Sequence, residues 1–418
     1  MKAADVLVIG GGASGITAAV SAAEQGDRVL LLEAQAALGR KILASGNGRC
    51  NLMNTHPPVY YGDSSFAADV LRFCPPERIR RFWERYGLHL RADEAGRVYP
   101  CTFQAASVMD ALRLAMRKNR VTCLLQQRVT GLKADADGFC VQTQQQDLFE
   151  AKRIILAAGG PAQPKLGGRE DGPQLLRPFG HKAAPFIPSL TPLITDARSV
   201  SGLAGIRVRA QVQIWTDGRE THRETGEVLF TQDGLSGICI MQCARFVTPG
   251  MSRCRLNLIH DLFPDSESAV RELMRRKALF PEEDPVSLIA GICLPKVAFA
   301  VCKQAGLPMR GEKNADLSEE QVRAIVGSLS GYTLQIIGRK GFDQAQVSAG
   351  GLDCSAFSPE TMASLRTSGL HAAGEMLNVD GDCGGYNLMF AWATGILAGT
   401  NGRGEWVPAP HPQPAQNA

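Results

Sequence analysis

An α/β fold built on a Rossmann-like β-α-β unit is predicted by three features near the start of the chain. Val6-Leu7-Val8-Ile9 is a short, continuous apolar run, the mark of a strand buried on both faces. Gly10-x-Gly12-x-x-Gly15 follows it at once and opens an Ala-rich helix over residues 16–25. After the Gly26-Asp27 turn, Val29 to Leu32 forms a second apolar run that ends on Glu33. Together these make a β-α-β clamp of the expected length for a dinucleotide.

Each part of that clamp has a physical task. Gly10, Gly12 and Gly15 allow a sharp turn, close approach of a pyrophosphate and close helix–strand packing. The helix N-terminus supplies free N–H groups and positive potential. Glu33 at the strand end can accept hydrogen bonds from ribose hydroxyls. The motif itself fits NAD or FAD equally.

Down the chain, a polar, glycine-rich loop is expected over residues 34–54, and a helix over 66–86 interrupted by Pro75-Pro76. Gly96 to Pro100 reads as a turn or short strand, and 105–118 as an amphipathic helix with Val108, Leu112 and Ala115 on one face. Short strands are expected at 122–125, 129–133 and 139–143, and a buried one at 153–156 that runs into Ala157-Ala158-Gly159-Gly160. After Pro185 the texture changes, and from about Leu190 to Leu258 it is β-rich, with alternation over 208–214. Helices are expected at 266–280, 286–304 and 318–329, the last opening on the capping-box pattern Ser318-Glu319-Glu320-Gln321. Buried-strand texture returns from Gln346, with a last strand at 370–373 and a last helix at 388–398.

Composition narrows the function classes. The net charge of +4 is spread along the chain, so no nucleic-acid partner is expected. The 12 cysteines show no CxxC and no zinc spacing, which points to reduced thiols and no metal. With no targeting segment and no membrane span legible, a cytoplasmic protein is expected.

A second half-signal lies far from the clamp. Gly374-Glu375 follows a short apolar strand, and Gly384-Gly385-Tyr386-Asn387 leads into a helix. A helix N-terminus there would stabilise negative charge on a reduced flavin. With the clamp opening the chain, as in two-dinucleotide-binding-domain flavoproteins, this favours FAD. There is no second complete GxGxxG, so a dedicated NAD(P) domain is not expected.

The stretch Gly39-Arg40-Lys41-Ile42-Leu43-Ala44-Ser45-Gly46-Asn47-Gly48-Arg49-Cys50-Asn51 resembles the signature of a bacterial NAD(P)/FAD-dependent oxidoreductase family. That family includes 3-dehydro-bile acid delta(4,6)-reductases and aminoacetone oxidases. Gly96 to Pro100, Gly226 to Thr231, Gly234 to Gly237, Ala349-Gly350-Gly351 and Asp380 to Asn387 agree with it. The resemblance implies an FAD-binding domain at residues 1–189 and 346–406, interrupted by a β-barrel-like domain at 190–260 and 331–345 and a small helical domain at 261–330. A disordered tail at 407–418, rich in Pro and Gln, is expected to follow.

Carried over residue by residue, Ser14, Glu33, Arg40 and Lys41 would contact FAD, and Val129 would offer backbone groups to adenine. Gly374, Glu375, Asn387 and Leu388 would line the ribityl and isoalloxazine end. The chain departs from the family pattern at Ala158, Ile238 and Cys383. Cys383 reads as a packing thiol rather than a redox group, because no resolving cysteine is near in sequence. Arg49 is left open between a phosphate or substrate anion and solvent, and Tyr386 between a proton donor and a packing ring.

The leading expectation is an FAD-dependent enzyme that reduces a conjugated enone or dienone in a steroid-like small molecule, with NAD(P)H as a transient electron donor. An amine oxidase of the aminoacetone type is the first alternative. A flavin-binding redox or RNA-associated protein without a small substrate is the second.

Overall fold

In the computed structural model, which describes residues 2–135, 137–308 and 311–403, the first strand spans Lys2–Ile9 and lies inside a mixed seven-stranded sheet. The expected tail at 407–418 and residues 404–406 lie outside the described residues. Val29–Leu32 pairs with the first strand in parallel, and Thr122–Leu124 extends the sheet on that side. On the other side lies Leu148–Leu156, whose two halves have different partners. Its first half pairs antiparallel with Phe139–Thr143, and its last three residues pair in parallel with Leu370–Ala372. A strand from the far end of the sequence thus sits two places from the first strand, with its C-terminal end at the same edge as the Gly10 turn.

The first helix (Ala13–Glu24) and the last (Tyr386–Thr400) pack on each other through small residues. A Cβ on Gly395 would lie 2.4 Å from Thr17 Oγ1 and 2.5 Å from the Ser14 carbonyl oxygen. A Cβ on Gly399 would lie 2.5 Å from the Ala18 carbonyl oxygen. Only glycine permits this backbone approach. At its far end the last helix is held by Arg153, which donates to the carbonyl oxygens of Ala398 (3.1 Å) and Gly399 (3.2 Å) and pairs with Asp27 at 2.8 Å. Trp392 stacks edge-on against Trp83 with centroids 4.9 Å apart, and its indole N–H donates to the Leu52 carbonyl at 3.1 Å.

The chain forms two compact units, one of residues up to Ile187 and from Val347 onward, the other Pro188–Gln346. The second holds a closed barrel in the order Leu193–Thr195, Gly234–Ser236, Arg219–Phe230, Arg207–Thr216, Ser252–Asn257 and Tyr332–Arg339. Ala210, Val212, Ile214, Val228, Cys254, Leu256, Leu334 and Ile336 alternate inward along those strands and share one core with Leu273, Val297, Val301, Val322 and Ile325 of the helices. Among the described residues, no helix is long and apolar enough to cross a membrane.

Several elements differ from the sequence expectation. Residues 286–304 do not form one helix but a short turn at Ser287–Ile289 and a helix at Pro295–Gln304. Gly291, in the left-handed region at φ +78°, and Pro295 at the helix start divide them. The 34–54 loop contains a helical turn, Arg40–Ala44, and a strand, Met53–Asn54. Ala183–Ser189 is a strand despite Pro185 and Pro188, which its place in a two-stranded sheet tolerates. The capping box at Ser318 forms as read: Gln321 N–H donates to Ser318 Oγ at 3.1 Å, and Ser318 N–H to Gln321 Oε1 at 2.8 Å.

Two outcomes follow. Gly399→Val should cost about 1–3 kcal/mol by overpacking, read by urea unfolding; unchanged stability would contradict the helix contact. His371, fully enclosed on the late strand with Nε2 2.9 Å from Asn401 Oδ1, has its pKa pushed down to about 4, chiefly by burial. The unfolded chain takes up a proton near pH 6.5 that the folded chain refuses, so stability is full above that pH and falls as pH drops towards 4, by roughly 3 kcal/mol. His371→Asn should flatten that slope in urea titrations at pH 7 and pH 4.5; parallel slopes would refute the assignment.

Candidate functional site

The glycine turn creates a cradle at the C-terminal edge of the parallel strands. Gly10 has φ +110°, and a Cβ there would lie 2.3 Å from the Ala157 carbonyl oxygen. A Cβ on Gly15 would lie 1.8 Å from the Gly10 carbonyl oxygen, so the helix closes directly onto the turn. Gly12, the N-cap, faces open space, with nothing within 4 Å of the place a Cβ would take. No side chain caps this helix and no acid stands in its first turn. Its first N–H groups are therefore free for an anion approaching past Gly12.

Glu33 is fixed rather than loose. Its carboxylate accepts from Gly11 N–H at 2.6 Å and from Gln35 N–H at 2.7 Å. Oxygen lone pairs remain for ribose hydroxyls. Gln127 N–H donates to the Glu33 carbonyl at 2.8 Å, which brings the start of the Val129–Ala134 strand beside this end of the clamp. Arg40 reaches Gln35 Oε1 and the Lys165 carbonyl oxygen, both at 2.9 Å, and borders the same end.

The late segment supplies the opposite wall. Gly374 has φ +81°, and a Cβ there would strike Ser14 Oγ at 2.3 Å. Its N–H donates to Thr394 Oγ1 at 3.0 Å. Ser14, itself buried, has Oγ 3.5 Å from the Ala373 carbonyl oxygen. Glu375 accepts from Ser348 N–H at 2.9 Å and forms an ion pair with Lys41 at 2.7 Å. The basic extension and the late turn are thereby joined across the site.

The last helix begins at Tyr386, preceded by Gly384 and Gly385, both in the left-handed region (φ +135° and +102°). A Cβ on Gly385 would lie 2.6 Å from Asn51 Oδ1 and 2.6 Å from the Met53 carbonyl oxygen. Asn54 Nδ2 holds the Gly384 carbonyl at 2.9 Å. Asn387 accepts from Gly381 N–H at 2.8 Å and donates to the Gly381 carbonyl at 2.8 Å, so its side chain shapes the turn and leaves only its backbone for a ligand. Leu388 is half-buried against the core. The N–H groups of Tyr386, Asn387 and Leu388 belong to the helix's first turn, which lacks intrahelical acceptors.

Tyr386 is buried, its ring edge-on to Tyr60 at 6.5 Å, and Tyr60 OH donates to the Tyr386 carbonyl at 2.8 Å. Burial, aided by nearby Asp382, raises the Tyr386 pKa, so the phenol stays protonated. Burial likewise raises that of Cys383, which keeps it a thiol and suits the packing reading.

The arrangement fits FAD on its own features. The open approach at Gly12, the fixed acid at Glu33 and the free helix start at Tyr386 match pyrophosphate, ribose and flavin in turn. Asn51 Oδ1 is a buried acceptor with no partner, and the flavin edge carries a ring N–H. Sequence reading missed Asn51, Ser348 and Gln35 as members of the site. Asn51 was visible inside the signature stretch and Gln35 lies two residues after Glu33, but nothing local marked Ser348.

Residues 4–401 match the HI0933-like protein Rossmann domain family. The chain belongs to this family. A 3-dehydro-bile acid delta(4,6)-reductase from Clostridium scindens is 36% identical over 94% of this chain and 97% of that relative. Ribosomal RNA dihydrouridine synthases are 28% identical: the one from Escherichia coli over 94% of this chain and 96% of its own, the one from Haemophilus influenzae over 93% and 96%. This HI0933-like protein is an FAD-dependent oxidoreductase. The expectation that nucleic acid is no partner draws no support from relatives named for ribosomal RNA.

If Glu33 carries the ribose contact, Glu33→Ala should weaken FAD binding about 10- to 100-fold, the worth of one or two charge-assisted hydrogen bonds. Fluorescence of flavin released on dilution checks this; unchanged retention would remove Glu33 from the site.

Proposed function

We propose that this protein reduces a carbon–carbon double bond conjugated to a carbonyl, in a steroid-like enone or dienone, with electrons from NAD(P)H. The observation that carries the reading is the uncapped N-terminus of the last helix, beside a phenol that stays protonated. When bound, FAD supplies the electron pair as a hydride equivalent. The N–H groups of Tyr386, Asn387 and Leu388 would stabilise negative charge at the flavin end. The Tyr386 phenol would polarise the substrate carbonyl or donate the proton that completes saturation. The Lys41–Glu375 pair and the Asn387 clasp on Gly381 would hold these groups in place.

The steroid reading follows from the 36% relative. The relatives at 28% share its chemistry, because making dihydrouridine saturates a uracil double bond that is also conjugated to a carbonyl. A specific feature favours this second reading. On the barrel, Arg255 lies over the Trp215 ring at 5.3 Å, and Arg253 pairs across strands with Trp215 and Gln335. A single aromatic ring flanked by arginines suits an RNA base and its phosphates.

The deciding experiment is anaerobic. NADPH should reduce the bound flavin, and a 3-oxo-Δ4,6 steroid should reoxidise it. Tyr386→Phe should slow the reoxidation by about 100-fold. Reoxidation only by uridine-containing RNA would favour the second reading. Peroxide released on adding aminoacetone in air would restore the oxidase alternative and overturn the first.

A further inference from the structure

Arg49 stands on the rim of a cavity of about 500 Å³ lined by Asn47, Gly48, Arg49, Phe103 and Gln104. No acid lines it. Arg49 makes no ion pair among the described residues. Its backbone lies in a tight turn. Gly46, Asn47, Gly48 and Cys50 all have positive φ, between +54° and +79°, and Cys50 N–H donates to the Ser45 carbonyl at 3.0 Å. The buried Cys50 side chain anchors the turn from below.

The opposite wall is equally specific. Phe103 adopts φ +53°, with its N–H on the Pro100 carbonyl at 2.8 Å, and its ring lies 5.5 Å from that of Tyr99. Arg91 sits over the same ring at 5.6 Å and also lacks an acidic partner among the described residues. The cavity thus combines one uncompensated guanidinium, a second close behind the aromatic wall, and two primary amides. Two residues past Arg49 comes Asn51, whose amide oxygen abuts the Gly385 turn at the start of the last helix. The turn that carries Arg49 thus runs directly into the segment packed against the start of the last helix.

We propose that this cavity is a substrate subsite that receives a carboxylate, with Arg49 as its recognition residue. The inference rests on the reading above that the substrate is a small enone. A guanidinium offers two parallel N–H donors, which match one carboxylate. Asn47 and Gln104 can complete its hydrogen bonds, and the Phe103 ring packs on the apolar skeleton that bears it. An acidic substrate is thereby held at one end while its conjugated system lies at the Tyr386 end. A phosphate, from a nicotinamide dinucleotide or from RNA, shares the anionic chemistry and is separated by the test.

The test uses the FAD-loaded enzyme and reads binding from the perturbation of flavin absorbance, which needs no turnover. The probes are a 3-oxo-Δ4,6 steroid with a side-chain carboxylate, its methyl ester, NADPH and a short uridine oligonucleotide. Wild type should bind the acid more tightly than the ester. Arg49→Gln should lower that preference by about 10- to 100-fold, and Arg49→Lys should restore part of it. No preference in the wild type, equal weakening of acid and ester, or an effect confined to NADPH or the oligonucleotide would overturn the carboxylate subsite. Tight, Arg49-dependent binding of an acid that is never reduced would support the subsite and sink the enone reading alone.

Discussion

The architecture of the site depends on one close contact, the approach of the first and last helices through glycine. Gly395 and Gly399 let the last helix lie directly on the backbone of Ser14 to Ala22. That contact fixes where the last helix begins. The Gly374 turn meets the first helix at Ser14, and the last helix starts at Tyr386, ahead of the Gly395 contact. On the proposed reading, two helix N-termini bound one FAD, one at the pyrophosphate end and one at the flavin end, and both favour negative charge. A side chain at either glycine would push the two walls of the clamp apart.

Polar contacts refine this frame and do not create it. The Lys41–Glu375 pair is about a quarter to a third exposed, so it is worth at most about 1 kcal/mol. Its value is positional, because Glu375 also accepts from Ser348 and is aimed by that bond. Glu33 follows the same rule, with two backbone N–H donors setting its carboxylate before any ribose arrives. Asn387 gives its side chain to the Gly381 turn and keeps its backbone N–H for the site. Such prior ordering lowers the entropic cost of binding a long, flexible dinucleotide.

The clamp was legible because its information is local. Strand, glycine spacing, helix and acid follow one another within residues 6–33. The closed barrel was legible only as alternation and turns, since closure is a matter of pairing between distant strands. Where local signals compete, reading from sequence fails: the apolar run at 286–304 looks helical, yet Gly291 and Pro295 divide it. Ser348 joins the site through a backbone N–H brought to Glu375 by tertiary pairing, which no spacing rule encodes. Arg49 was visible as a charge, but its lack of an acidic partner is a property of the folded chain.

If residues some 360 positions after the glycine turn complete the FAD site, a side chain at Gly374 should break it. Its left-handed backbone and its contact with Ser14 leave no room for a side chain. The measurement is the FAD content of purified Gly374→Val beside wild type, with the fold checked by circular dichroism. Wild type should carry one FAD per chain, and the folded variant should have lost most of its flavin. A folded Gly374→Val that retains FAD as the wild type does would contradict it.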